Sequence, residues 1–111
     1  MKKFNIIAIP LFQKEIKQLL KKYPSLDQDF ENLLEELYKN PTSGESLGNN
    51  CYKIRMKIGS KNSGKSGEAR IISYVKIVAA TIFLVSIYDK SERETVTKKQ
   101  IEEILKSSGL L

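Results

Sequence analysis

Between residues 51 and 58 apolar and polar positions alternate, Tyr52, Ile54, Met56 and Ile58 against Cys51, Lys53, Arg55 and Lys57. A strand sends successive side chains to opposite faces, so this run predicts one apolar face and one face with three cations in a row. After a Gly/Ser/Lys-rich segment a second strand pattern puts Ile71, Val75 and Ile77 on one face and Arg70, Tyr74 and Lys76 on the other. If the two strands pair, their basic faces coincide. Thr81 to Tyr88 is the most apolar run and predicts a central strand, while Phe4 to Ile9, β-branched and closed by Pro10, predicts a first one.

Helical spacing lies between these. Phe12, Ile16, Leu19, Leu20 and Tyr23 form one stripe, and Tyr23-Pro24 breaks it. Ser25 with Gln28 has the form of a capping box opening a second helix, whose stripe is Leu26, Phe30, Leu33, Leu34 and Leu37 and whose end is Asn40-Pro41. So short a break predicts an antiparallel helical hairpin packed on one sheet face. The segment 42–50 reads as a loop. Thr97 and Gln100 repeat the capping-box spacing ahead of Ile101, Ile104 and Leu105, with Gly109 just past the end of this short third helix. The expected fold is α+β: one domain over residues 1–111, a small antiparallel sheet with an N-terminal helical hairpin on one face and a short C-terminal helix. The basic, concave face lies opposite the hairpin.

Charge sharpens this picture. Nineteen Lys and Arg against thirteen Asp and Glu leave a net +6, which favours a polyanionic partner such as nucleic acid, an anionic membrane or an acidic protein. The acids gather in the helical regions, Asp27 to Glu36 and Glu92 to Glu103, so the central strands hold the largest cationic excess. Like charges on neighbouring strands repel, and an anion answering them would remove that cost. The plainer alternative is a sheet face that merely meets water. The longest apolar stretch, Ile77 to Val85, is too short to span a membrane. The N-terminus starts like a signal peptide, but its apolar run is short and Gln13, Lys14 and Glu15 follow. One cysteine and no histidine allow neither an internal disulfide nor a Cys/His zinc site, and a reducing cytoplasm is expected.

Residues 59–66 match the phosphate-binding P-loop pattern of Gly, four residues, Gly-Lys-Ser. That motif works where a helix begins at the Lys-Ser, whereas here a strand pattern follows in a chain too short for the parallel sheet it serves. The segment reads better as a basic hairpin loop whose Lys61 and Lys65 touch a phosphate backbone. Without histidine, phosphodiester chemistry falls to Lys, Arg, Tyr or a carboxylate. Crowded cations lower a lysine's pKa and free a fraction as neutral base, while guanidinium groups stabilise charge developing on phosphorus. Lys53, Arg55, Lys57 and Arg70 have that composition. Tyr52, Tyr74 and Tyr88 can stack on bases; Tyr52 shares the core face, so Tyr74, on the cationic face with Lys76, is the better candidate. Cys51 reads as a structural thiol, with no imidazole to activate it.

These residues, in this order, resemble the RelE/ParE superfamily of bacterial type II toxin-antitoxin modules, and within it the RelE-like and HigB-like branch. The resemblance rests on Asn40-Pro41 with Gly44 and Leu47, Cys-Tyr-Lys-Ile-Arg-Met-Lys from Cys51, Gly-Lys-Ser-Gly before the Arg70 strand, and Tyr-Asp-Lys-Ser-Glu from Tyr88. It implies an mRNA interferase: a metal-independent endoribonuclease without cofactors that enters the ribosomal A site and cuts the messenger through a ribose 2′-hydroxyl. A neutralising antitoxin protein is also implied. By position, Lys53 and Arg55 match the family's basic strand residues, one of them cast as general base. Lys57 matches a further basic position, Arg70 the arginine that stabilises the transition state, and Lys90 a cation after the last strand. Val96 stands where RelE itself has a tyrosine that orients the substrate. Two rivals share the resemblance, a ParE-like toxin that binds DNA gyrase and a non-catalytic nucleic-acid-binding member.

Overall fold

The most apolar run of the sequence becomes the strand that both sheet neighbours and the first helix share. The computed structural model describes residues 3–59, 67–92 and 96–111. In it β5 (Thr81–Asp89) lies between β1 (Asn5–Ala8) and β4 (Glu68–Lys76), and the sheet continues through β3 (Cys51–Lys57) to β2 (Glu45–Gly48) in the order β1-β5-β4-β3-β2. Every residue of β5 except Phe83 is buried, which is why alternation is absent from its sequence. The three pairings among β2, β3, β4 and β5 are antiparallel, as expected, and β1 runs parallel to β5, so the sheet is mixed. β1 passes straight into a helix rather than a hairpin, leaving it free to align with the strand that arrives last.

The helical hairpin comprises α1 (Pro10–Lys22) and α2 (Leu26–Lys39). Pro10 sits at the first turn, where its missing N–H costs nothing. Phe12 and Leu19 of α1 and Leu26, Leu33 and Leu37 of α2 are buried, and the Phe12 and Phe30 rings meet at 5.7 Å. On β3 the alternation holds, with Ile54 and Met56 buried and Arg55 and Lys57 exposed. Ile58, just beyond the strand, is buried too. Ile54 pairs with Ile71, itself fully buried.

α3 (Lys98–Ser107) opens with the capping box expected: Gln100 N donates to Thr97 Oγ1 at 3.1 Å and Thr97 N to Gln100 Oε1 at 2.9 Å. It closes on Gly109, at φ 74°, with Leu110 N donating to Leu105 O and Gly109 N to Lys106 O, a Schellman end. Among the described residues no helix is long and apolar enough to cross a membrane.

Three local expectations are corrected. Ser25 does not cap α2: its backbone is helical, and its hydroxyl donates to Asp29 Oδ2 at 2.8 Å instead. The same carboxylate oxygen accepts from Gly59 N at 3.0 Å, so the pair ties the end of β3 to α2. The segment 42–50 contains β2, because Asn49 and Asn50 both take positive φ and close a two-residue hairpin onto β3. Ile77 leaves β4 for a one-turn 3-10 helix, Ile77–Ala79, and is 63% exposed rather than inward-facing.

Gly44 keeps β3 in place. Its φ is 103°, and a Cβ there would lie 2.6 Å from the Lys53 carbonyl oxygen. Gly44→Ala is therefore expected to cost about 2 kcal/mol or more, from backbone strain and displacement of that carbonyl. Chemical denaturation of the two proteins measures it, and equal midpoints would refute the close approach.

Candidate active site on the open half of the sheet

The face of the sheet opposite the hairpin is divided between apolar cover and charge. Cross-strand register sets out its rows. Cys51 stands beside Tyr74 and Tyr74 beside Phe83; Glu45, Lys53, Ile72 and Ser86 form the next row; Arg55, Arg70 and Tyr88 the third; Lys57 and Glu68 the last. Adjacent partners lie about 5 Å apart at Cα, and alternate rows along a strand about 7 Å apart.

α3 covers the first row. Ile101 and Leu105 are buried and share with Cys51, Tyr74 and Leu47 a cavity of 430 Å³. Burial pushes the Cys51 thiol up, in keeping with a structural role. The Tyr74 ring stacks on Phe83 at 6.2 Å. Tyr74 is thus half-buried and about 13 Å along the strand from Arg70, with Lys76 about 20 Å away. The structure does not bring these two into the cationic cluster. Lys61 and Lys65, with the rest of the P-loop-like segment beyond Gly59, lie outside the described residues.

The third and fourth rows hold the cluster. Arg55 and Arg70 are direct cross-strand partners, so the two guanidinium groups start from neighbouring backbone positions on one face. Arg55 and Lys57 are exposed, Lys53 is half-buried, and none of the three forms an ion pair among the described residues. Lys53 and Arg55 also line, with Glu36, Asn40 and Glu45, a 550 Å³ groove at the end of α2. Lys90 joins from the turn after β5, where its N–H donates to the Glu68 carbonyl at 3.2 Å.

That turn is fixed by Asp89, which is 1% exposed. Its carboxylate accepts from the Tyr23 hydroxyl, from Ser91 N at 2.9 Å and from Ser91 Oγ at 2.8 Å. Further along β5, where β1 has ended, Glu15 of α1 accepts from Ser86 Oγ at 2.8 Å and Ile87 N at 3.3 Å. The hairpin face thereby holds both the strand edge and the turn from which Lys90 projects.

Arg70 differs from its neighbours in being buried, its side chain 7% exposed, and Nη1 donates to Glu68 Oε1 at 2.8 Å. The hydrogen bond from Arg70 holds the Glu68 carboxyl below the usual carboxylate range against the opposing effect of burial, and the charges of Arg70, Arg55 and Lys90 add to it. Glu68 stands outside the candidate residues that the sequence pattern names. Its signal was available, since residues two apart on a strand share a face. Tyr88, whose ring could stack on a base if it were exposed, is instead buried beside Arg70. Val96 is buried, so the position where the resemblance places an orienting tyrosine contributes an apolar side chain to the core.

No family model matches the chain. Among solved structures it is similar to a mutant of the E. coli toxin RelE in the free state, with a TM-score of 0.61 and 16% identity over 96% of this chain and 98% of that one. The chain therefore has a RelE-like fold.

A carboxyl-detected NMR titration checks the ion pair. Glu68 is expected to titrate below an ordinary glutamate, and Arg70→Lys, which loses the planar fork, to move it back upward. Because its folded pKa is depressed, the contribution of Glu68 to stability is complete above the unfolded value near 4.5 and disappears as pH falls through the folded value. An unchanged titration in the variant would show that Arg70 does not engage it.

Proposed function

We propose that the protein is the toxin of a type II toxin-antitoxin pair, acting as a ribosome-dependent mRNA endoribonuclease in the cytoplasm. The observation that carries this reading is the pairing of Arg55 with Arg70 on a face where Lys53, Lys57 and Lys90 supply further cations and α3 leaves the surface open. A gyrase-binding toxin has no need of so many cations in one place.

In this reading Lys53 or Lys57 takes the proton of a ribose 2′-hydroxyl. The 2′-oxygen attacks the adjacent phosphorus, the bond to the 5′-oxygen breaks, and a 2′,3′-cyclic phosphate and a 5′-hydroxyl result. Arg55 and Arg70 neutralise the charge that builds on the phosphoryl oxygens, and the Lys90 ammonium protonates the leaving oxygen. Ribosome, messenger and a neutralising antitoxin protein are the partners that the family resemblance implies. The similar fold of a RelE toxin supports the reading.

Arg70 is a poor choice for a clean test, because its stem is buried and truncation also removes packing. Arg55 is exposed, so Arg55→Ala is expected to change stability by less than about 0.5 kcal/mol. If Arg55 stabilises the transition state, its loss should cut cleavage a hundredfold or more, about 3 kcal/mol. Primer extension on a defined mRNA, with stalled ribosomes and with bare RNA, reads the result. Ribosome-dependent cuts lost in Arg55→Ala and in Lys53→Ala are expected. Folded wild-type protein that cuts in neither setting would overturn the nuclease assignment.

A further inference from the structure

The cationic cleft already contains an anion. Glu68 is the cross-strand partner of Lys57, bonds Arg70 at 2.8 Å, and lies close enough to Arg55 and Lys90 for their charges to act on it. A buried guanidinium needs a partner, and without Glu68 the last two rows would hold Arg55, Arg70, Lys57 and the neighbouring Lys90 with no anion of their own among the described residues. The two members of the pair differ in freedom. Arg70 is 7% exposed and held by its surroundings, whereas the Glu68 side chain is 36% exposed and has room to turn toward water.

We propose that Glu68 is a displaceable counter-ion: its carboxylate occupies Arg70 in the empty site, and a substrate phosphate takes over that guanidinium by displacing it. A phosphodiester offers two oxygens to the planar fork where Glu68 uses one, so the exchange favours a phosphate held by several contacts at once over a free one. Two anions sharing one guanidinium repel each other, and the carboxylate is the one with water beside it. Glu68 thereby lowers the affinity for isolated phosphates and keeps Arg70 oriented until an extended backbone arrives. The inference rests on reading this face as a phosphate site, and it assigns Glu68 a positioning and selectivity role rather than a catalytic one.

The probe is a 2′-O-methyl RNA ten nucleotides long, which lacks the attacking hydroxyl, titrated by fluorescence anisotropy at several salt concentrations. Glu68→Gln is expected to bind it at least fivefold more tightly than wild type, with a salt slope steeper by about one because Arg70 then releases a solution anion on binding. Glu31→Gln, which removes an exposed acid of α2, controls for net charge and should match wild type. Equal or weaker binding by Glu68→Gln overturns the proposal, since a residue that merely props up Arg70 would give that result. A second measurement needs no variant. In wild type saturated with the probe, the Glu68 carboxyl should titrate closer to the ordinary range, and a titration that stays depressed at saturation overturns the proposal equally. Tighter binding by Glu68→Gln in a protein that never cuts mRNA would sustain the counter-ion while removing the nuclease reading. Unchanged binding alongside ribosome-dependent cleavage would do the reverse.

Discussion

The pairing of β3 with β4 is the interaction on which the site depends. Its register decides that Arg55 meets Arg70 and that Ile54 meets Ile71 on the opposite face. A slip of β3 by one residue would turn Arg55 toward the core and Ile54 into water, so burial of the apolar face holds the charged face together. Repulsion between the two arginines is thus outweighed by hydrophobic contact made on the other side of the same strands.

Around that pair the fold assigns different work to the two ends of one sheet face. α3 seals the end at Cys51 and Tyr74 with apolar side chains, and the end at Arg55 and Arg70 stays open. The hairpin face supports the open end from behind through Asp89, which ties the close of α1 to the turn carrying Lys90, and through Glu15, which completes the hydrogen bonding of β5 where β1 stops. Charge on one face therefore rests on buried polar contacts at its back and edge, each made by a group that is itself satisfied.

Much of this was legible because period and burial coincide. The alternation in β3, the stripe of α2 and the capping box at Thr97 each state in a few residues what neighbours they require. Ser25 shows the limit: it has capping-box spacing, but a carboxylate one turn on and the Gly59 amide compete for the same groups, and they prevail. β2 is not legible in the hydrophobic pattern, because Asn49-Asn50 makes its hairpin turn through two positive φ angles, a feature without hydrophobic signal.

By itself the sequence determined which faces are apolar and that Thr81 to Tyr88 lies inside the sheet, since each follows from the side-chain pattern within one element, whereas the cations of β3 and β4 share a surface only once those strands pair. Tertiary structure alone decided how that surface is divided. Where α3 lies removes Tyr74 from the cluster, the end of β1 admits Glu15, and the degree of burial makes Arg70 a paired group while Arg55 meets water. These outcomes depend on the distance between elements and on access to solvent, and the period of a single strand contains neither.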